Sequence, residues 1–291
     1  MCSAPVEPGG AIALRAPAKI NLYLRILAKR EDGYHQLDSL MLKLALADRL
    51  VLTRRRQPGL TLRCPGSDLP ENEDNLVVRA ARLFYRHIDQ TPALEMVLEK
   101  HIPVAAGLGG GSSDAAAVLL GLDRLHGTAM GEGVLSELAR PLGADVPFFV
   151  QSSPAARAGG IGEILTPAAT PPGIGGIVLV NPGFAVSTAW VYRNFRLTKQ
   201  NDPYTLTGSF ADGPLECRND LEAVTMERYP ELKEIRDQLL ALGAATALMS
   251  GSGPTMFGLF AQTSEAQRCA ARMRKKYEKV FLTCPETLRR S

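Results

Sequence analysis

The stretch Pro103-Val104-Ala105-Ala106-Gly107-Leu108-Gly109-Gly110-Gly111-Ser112-Ser113 places four glycines in five positions. Glycine inside a regular element costs roughly 0.5–1 kcal/mol against alanine, so the run belongs where backbone turns sharply or lies against a ligand. Asp114 to Leu125 follows directly, with Ala116, Leu119, Leu120 and Leu125 near a helical period. Ser112 or Ser113 is suited to cap that helix. A bare loop entering a helix N-terminus gathers unpaired N–H groups and the positive end of the dipole, an anion site for which phosphate is the natural guest. A flexible surface turn is the plain alternative. Two familiar phosphate loops fit poorly: no lysine follows the glycines as in a P-loop, and Ser112 stands where a dinucleotide fingerprint needs its third glycine.

Other chemistry-bearing residues are scattered along the chain. Lys19 and Asn21 lie two apart, so on an extended chain they face the same way; a solvated strand end is the alternative for the lysine. Arg30-Glu31-Asp32-Gly33-Tyr34-His35 is a turn carrying an aromatic and a histidine, or simply an Asp-Gly hairpin turn with an incidental histidine. Asp145 precedes the apolar Val146-Pro147-Phe148-Phe149-Val150 and needs a reason there. It either caps a short helix or serves as a carboxylate in a site. Gly251 and Gly253 form a helix–strand turn or a second loop at the site. His87, His101 and His126 show no metal-ligand spacing.

The elements that must position these residues follow from periodicity. Residues 11–16 and 22–27 alternate as strands, with Pro17 to Asn21 breaking between them. Residues 40–42 and 48–53 continue the strand pattern, and 94–100 leads into the glycine loop. Asn75 can cap an amphipathic helix over 76–85. Residues 230–242 form a helix with Leu232, Ile235, Leu239 and Leu242 on one face, and Ser264-Glu-Ala-Gln267 reads as a capping box. Composition shifts at 154–160 and 167–176 put a domain boundary near residue 160, giving domains 1–160 and 161–291.

The chain has 291 residues, 45% hydrophobic and 22% charged, enough for a full core. A net charge of +3 with mixed signs does not point to nucleic acid. Five dispersed cysteines without C-x-x-C suggest neither zinc nor a disulfide framework, and fit a reduced cytoplasmic setting. The first 13 residues do not read as a signal peptide, and no apolar run reaches membrane-spanning length. A monomer or homodimer with no membrane partner is expected.

Pro17-Ala-Lys-Ile-Asn21, Asp32-Gly-Tyr-His35, Glu73-Asp-Asn-Leu76, Pro103 to Ser113, Leu142-Gly-Ala-Asp-Val-Pro147 and Ser250-Gly-Ser-Gly253 occur in the order seen in the GHMP small-molecule kinases, which the chain resembles from about residue 16 to 260. The first two and Gly-Ala-Asp-Val-Pro resemble most the branch acting on a cytidine diphosphate alcohol of the non-mevalonate isoprenoid route. The resemblance implies an α+β fold of two lobes, an N-terminal one like the second domain of a small-ribosomal-subunit protein and an α/β C-terminal one, with ATP and substrate in the cleft between. It assigns residues 103–113 to ATP phosphates, Asn75 to the neighbourhood of the adenine, Asp145 and Lys19 to catalysis, and Asn21, Tyr34, His35, Thr188 and Tyr192 to the alcohol substrate. Mg2+ is expected with ATP. The resemblance departs at Ala105 and Ala106, where relatives carry other residues, and in an extra N-terminal dozen.

The chemistry stands beside the resemblance. Phosphoryl transfer needs the γ-phosphate held, its charge neutralised and the alcohol positioned. The loop supplies backbone donors, Asp145 can accept the alcohol proton or only orient the alcohol, and Lys19 can stabilise the charged aspartate and the transferring group. Two alternatives stand beside this: a kinase of the same superfamily acting on a mevalonate- or homoserine-type alcohol, against which the Asp-Gly-Tyr-His turn argues, and a non-enzymatic nucleotide-binding module, against which Asp145 and Lys19 argue.

Overall fold

The computed structural model describes residues 10–196 and 217–286. Most of the polar stretch 199–220 and the start of the N-terminal extension lie outside the described residues. In chain order the elements are β1 (Ala11–Lys29), β2 (His35–Arg54), β3 (Gly59–Arg63), α1 (Leu76–His87), β4 (Ala93–Glu99), α2 (Gly110–His126), α3 (Gly131–Ala139) and α4 (Val146–Val150). They continue with β5 (Ala155–Gly159), β6 (Ile164–Ala168), β7 (Gly176–Asn181), α5 (Thr188–Asn194), β8 (Arg218–Asn219), α6 (Glu222–Arg228) and α7 (Glu231–Ala241). The last are β9 (Thr246–Met249), β10 (Met256–Phe260), α8 (Thr263–Met273) and β11 (Lys279–Thr283). This is the α+β architecture that the resemblance implies.

Two compact units interleave along the chain. The first comprises residues up to Ala18, Ala47–Ile102 and Gly109–Ser152; the second comprises Lys19–Leu46, Pro103–Leu108 and Ser153 onward. In the first, β2 pairs antiparallel with β4 over Arg49–Arg54, and β4 pairs parallel with β3. Helices α1, α2 and α4 pack together, with Phe84, Ala116, Leu119, Leu122 and Phe148 fully buried. In the second unit β2 pairs with β5 over Ser39–Leu42, β5 with β6, and β1 with β8 at Tyr23 and Leu24. A second sheet there runs β11-β7-β10-β9. Helix α7 packs on β9 and β10, and α8 on β7, β10 and β11. Leu232, Ile235 and Leu239 make the buried stripe of α7, as their spacing requires.

Several local expectations change. Pro17 to Asn21 does not break the first strand, which runs without interruption through Ala11–Lys29. The Lys19 N–H donates to the Leu108 carbonyl at 2.9 Å, so it points away from β2. Pro17 is two residues earlier, and its missing donor falls on that same side, where no ladder bond to β2 is lost. Residues 40–42 and 48–53 likewise belong to one strand. The serines do not cap α2: the cap is Gly109, left-handed at φ 70°, and the helix already begins at Gly110. The capping box at 264–267 is not made either, because α8 starts at Thr263, with Gln262, two residues before Ser264, at the cap and no side-chain capping bond.

Candidate functional site

Within the second unit, β1 places Lys19 and Asn21 on one side, as alternation demands. Lys19 Nζ donates to Asn21 Oδ1 at 2.7 Å. Asn21 Nδ2 donates to Ser39 Oγ at 2.9 Å, and Ser39 donates to the Tyr23 carbonyl at 2.6 Å. Lys19 and Asn21 are only 5% and 3% exposed. A buried ammonium is costly without polar partners, and here Asn21 is one of them, itself held by the next strand.

Two glycine-rich segments meet beside this pair. Ser250 Oγ donates to the Gly107 carbonyl at 2.9 Å, and the Thr255 N–H donates to the Ala106 carbonyl at 3.3 Å. A Cβ on Gly107 would stand 2.2 Å from the Ser250 carbonyl oxygen, so only glycine lets the two backbones approach this closely. A Cβ on Gly251 would stand 3.4 Å from Asn21 Oδ1 and 3.6 Å from Lys19 Nζ, which puts the turn against the lysine. Thr188, the first residue of α5, shares a hydrogen bond with Ser252 Oγ at 2.7 Å. One helical turn on, the Tyr192 ring lies 5.6 Å from that of His35. The structure therefore gathers Lys19, Asn21, the 103–108 segment, the 250–253 turn and Thr188 into one continuous set of contacts, and Tyr192, on the same helix as Thr188, meets His35 at the start of β2. Burial and the charge of Lys29 lower the His35 pKa, favouring a neutral ring. Tyr34 is 61% exposed at the tip of the β1–β2 turn, where its N–H is held by Asp32 Oδ1.

In the first unit, Gly109–Ser113 opens α2. No side chain caps this end, so its first N–H groups are not occupied by a capping oxygen. Ser113 Oγ is buried and has no hydrogen-bond partner. An open helix start with an orphaned hydroxyl fits a polyphosphate. Asp145 stands at the cap position of α4, yet its side chain makes no capping bond, so the reading of Asp145 as a helix cap loses its support. The Gly143 Cβ direction reaches within 4.0 Å of Ser112 Oγ, which brings the segment leading to Asp145 beside the start of α2. Asn75 caps α1: its Oδ1 accepts from the Val77 N–H at 3.0 Å and its Nδ2 donates to the Pro70 carbonyl at 2.8 Å. Both ends of this amide are used within the protein. Among the described residues no three His, Cys, Asp or Glu side chains are grouped to hold a metal ion.

Two supporting features escaped the sequence. Asn219, 5% exposed, donates to the carbonyls of Met249 and Gly251 at 2.8 and 2.7 Å and accepts from the Leu221 N–H at 3.0 Å, so it shapes the 250–253 turn. Lys100 bridges two buried carboxylates, Asp48 and Asp114 (2.7 Å to the latter). Burial alone would lower the Lys100 pKa, but the two carboxylates more than offset it and hold the ammonium charged. Burial, with Asp48 adding to it, pushes the Asp114 carboxyl well above its ordinary range against the opposing pull of Lys100. The one sequence signal was an aspartate placed directly on the buried side of an alanine-rich helix.

The chain matches the GHMP kinases N terminal domain over residues 75–153 and the GHMP kinases C terminal domain over residues 212–279. It is 45% identical over 263 residues to a 4-diphosphocytidyl-2-C-methyl-D-erythritol kinase of Geobacter metallireducens, covering 89% of this chain and 93% of the relative. It is 46% identical to the enzyme of the same name from Syntrophotalea carbinolica, covering 88% and 91%. Among solved structures it is similar to a 4-(cytidine 5'-diphospho)-2C-methyl-D-erythritol kinase, with TM-score 0.81, 39% identity, and coverage of 95% of this chain and all of the other. A homoserine kinase from Cytophaga hutchinsonii, at 19% identity and TM-score 0.74, shares the fold. The chain belongs to the GHMP kinases, in the family of 4-diphosphocytidyl-2-C-methyl-D-erythritol kinases, and is a small-molecule kinase.

Proposed function

We propose that the protein transfers the γ-phosphoryl group of ATP to the 2-hydroxyl of 4-diphosphocytidyl-2-C-methyl-D-erythritol, in the non-mevalonate route to isoprenoid precursors. The observation that carries this reading is the contact set joining Lys19, Asn21, the glycine loop, the Ser250–Gly253 turn and Thr188. The names of the relatives supply the alcohol.

Residues 103–113 hold the ATP phosphates, the left-handed Ala105, Gly107 and Gly109 turning backbone N–H groups toward them and the uncapped start of α2 offering its dipole. Asp145 accepts the proton of the substrate hydroxyl as its oxygen bonds to the γ-phosphorus and the bond to the β–γ bridging oxygen breaks, releasing ADP. Lys19, held by Asn21, stabilises the negative charge that develops on the transferring group. Mg2+ is proposed as the companion of ATP, where it neutralises phosphate charge. Tyr34, exposed at its turn, stacks on the cytosine, and His35 reads the base edge with its backbone or its neutral ring; Tyr192 and Thr188 complete the substrate side. Asn75 stands near the adenine as the cap of α1. The division of the chain into domains 1–160 and 161–291 is also proposed; the two family matches fall on either side of residue 160.

An ADP-release assay across a panel of alcohols tests the assignment. The cytidine diphosphate alcohol should be the substrate and its uridine analogue a poor one, because uracil replaces the amino donor with an acceptor and leaves buried groups unpaired. Equal use of mevalonate or homoserine would sink it. Asp145→Asn should lower kcat by about 10²-fold or more with KM changed far less, and near-full turnover in that variant would remove Asp145 from the chemistry. Tyr34→Ala should raise KM more than it lowers kcat.

A further inference from the structure

Asp48, Lys100 and Asp114 form a buried ionic triad at the two ends of the glycine loop. Asp48 Oδ1 accepts from the N–H groups of His101 and Ile102, at 2.5 and 2.8 Å, where the chain leaves β4 for the loop. Lys100 donates to Asp48 on that side and to Asp114, in the first turns of α2, on the other. The ammonium lies directly beneath the helix start: a Cβ on Gly110 would stand 3.3 Å from Lys100 Nζ. The side chains of Asp48, Lys100 and Asp114 are 0%, 8% and 2% exposed, and Asp114 Oδ1 is buried with no hydrogen-bond partner.

We infer that Lys100, through Asp48 and Asp114, is a positioning residue for the nucleotide: it staples the strand that enters the loop to the helix that leaves it, fixing the spacing at which the loop's N–H groups meet the phosphates. This rests on the reading that the loop takes ATP phosphates. A purely stabilising role explains the triad poorly. Three buried charges with one oxygen unsatisfied are an expensive way to fill a core, and apolar side chains of similar volume are often as stable or more so. What the ionic triad provides and an apolar filling does not is a directional link between two backbone segments 14 residues apart. That link matters because a ligand held by several backbone N–H groups is sensitive to displacements well below 1 Å.

The test separates the link from the charge. Asp114→Asn removes the charge but keeps an acceptor within reach of Lys100. Asp114→Ala removes both and leaves Lys100 paired with Asp48. Asp114→Ser, too short to reach Lys100, is measured alongside in case the alanine variant folds poorly. Calorimetric titration with a non-hydrolysable ATP analogue should show the alanine and serine variants binding about tenfold more weakly than Asp114→Asn. Affinity for the cytidine diphosphate alcohol should stay within twofold in all three. Equal ATP-analogue affinity in the asparagine and alanine variants overturns the staple, as does equal weakening of both ligands. Failure of the wild type to bind the analogue overturns instead the reading of the loop on which the staple rests, independently of which alcohol is phosphorylated.

Discussion

The chain contains two short glycine- and serine-rich segments that look alike on paper, and the structure uses them in opposite ways. Val104, Ala105 and Gly111 of the 103–113 loop are exposed, and the loop ends in an uncapped helix start. Ser250 to Pro254 is buried throughout. The carbonyls of its Gly251 and of Met249 just before it are taken by Asn219, and Ser250 reaches out to hold Gly107. One glycine segment leaves backbone available to a ligand; the other lets backbone pack on backbone. Substitutions should therefore cost ligand affinity in the first and folding stability in the second, with Gly107, where the two touch, costing both.

The largest effect should come from Asn219→Ala. It leaves two carbonyls and one N–H without their partner, and each buried group so abandoned costs about 1–3 kcal/mol. Urea denaturation should show a loss of about 3 kcal/mol or more; a loss below about 1 kcal/mol would mean that the turn keeps its shape without Asn219. Next is Gly107→Ala. Its φ of 77° and the 2.2 Å approach to the Ser250 carbonyl oxygen combine backbone strain with a clash against backbone that has no rotamer to escape into. About 2–3 kcal/mol of stability should be lost together with ATP affinity. If stability fell and ATP binding by the folded fraction did not, the proposed coupling between the two segments would fail.

Gly111→Ala tests the open segment with the fold left intact. The new methyl would meet only Leu76 Cδ1, at an ordinary 3.7 Å. Alanine also favours the helix by up to about 1 kcal/mol. Stability should hold or rise while ATP affinity drops by about tenfold in calorimetry; unchanged affinity would put the phosphates elsewhere. The smallest effect is expected for Ala105→Gly. Ala105 holds φ 51°, a conformation that costs a non-glycine residue about 1–2 kcal/mol, and the glycine variant returns about 0.4–1 kcal/mol of that through a looser unfolded chain. Thermal unfolding should move by only a few degrees, and a large destabilisation would show that the alanine methyl itself is packed.

Much of the site was legible because its signals are local. Alternation alone put Lys19 and Asn21 on one side, and their side chains are hydrogen-bonded. Asn75 caps α1 as its type and position indicate, and the Asp-Gly turn joins β1 to β2 with Gly33 at φ 84°. The boundary at Asp145 was also readable, but whether its carboxylate caps α4 was not, since that depends on the backbone angles of the cap residue, which are helical here at φ −83° and ψ −14°.

The sequence by itself determined residue types and short spacings: a glycine loop before a helix, a lysine and asparagine two apart, an aromatic and a histidine beyond a tight turn. These are decided by backbone sterics and by the periods of strand and helix, which act over a few residues. Only the tertiary structure decided which polar groups are buried and who satisfies them. Asp48 and Lys100 are 52 residues apart, Asn219 and Gly251 32, and Ser250 and Gly107 143. A buried charge or an unpaired carbonyl is tolerable only with its partner in place. That partner is delivered by the packing of distant elements, so no pattern confined to one stretch of sequence could name it.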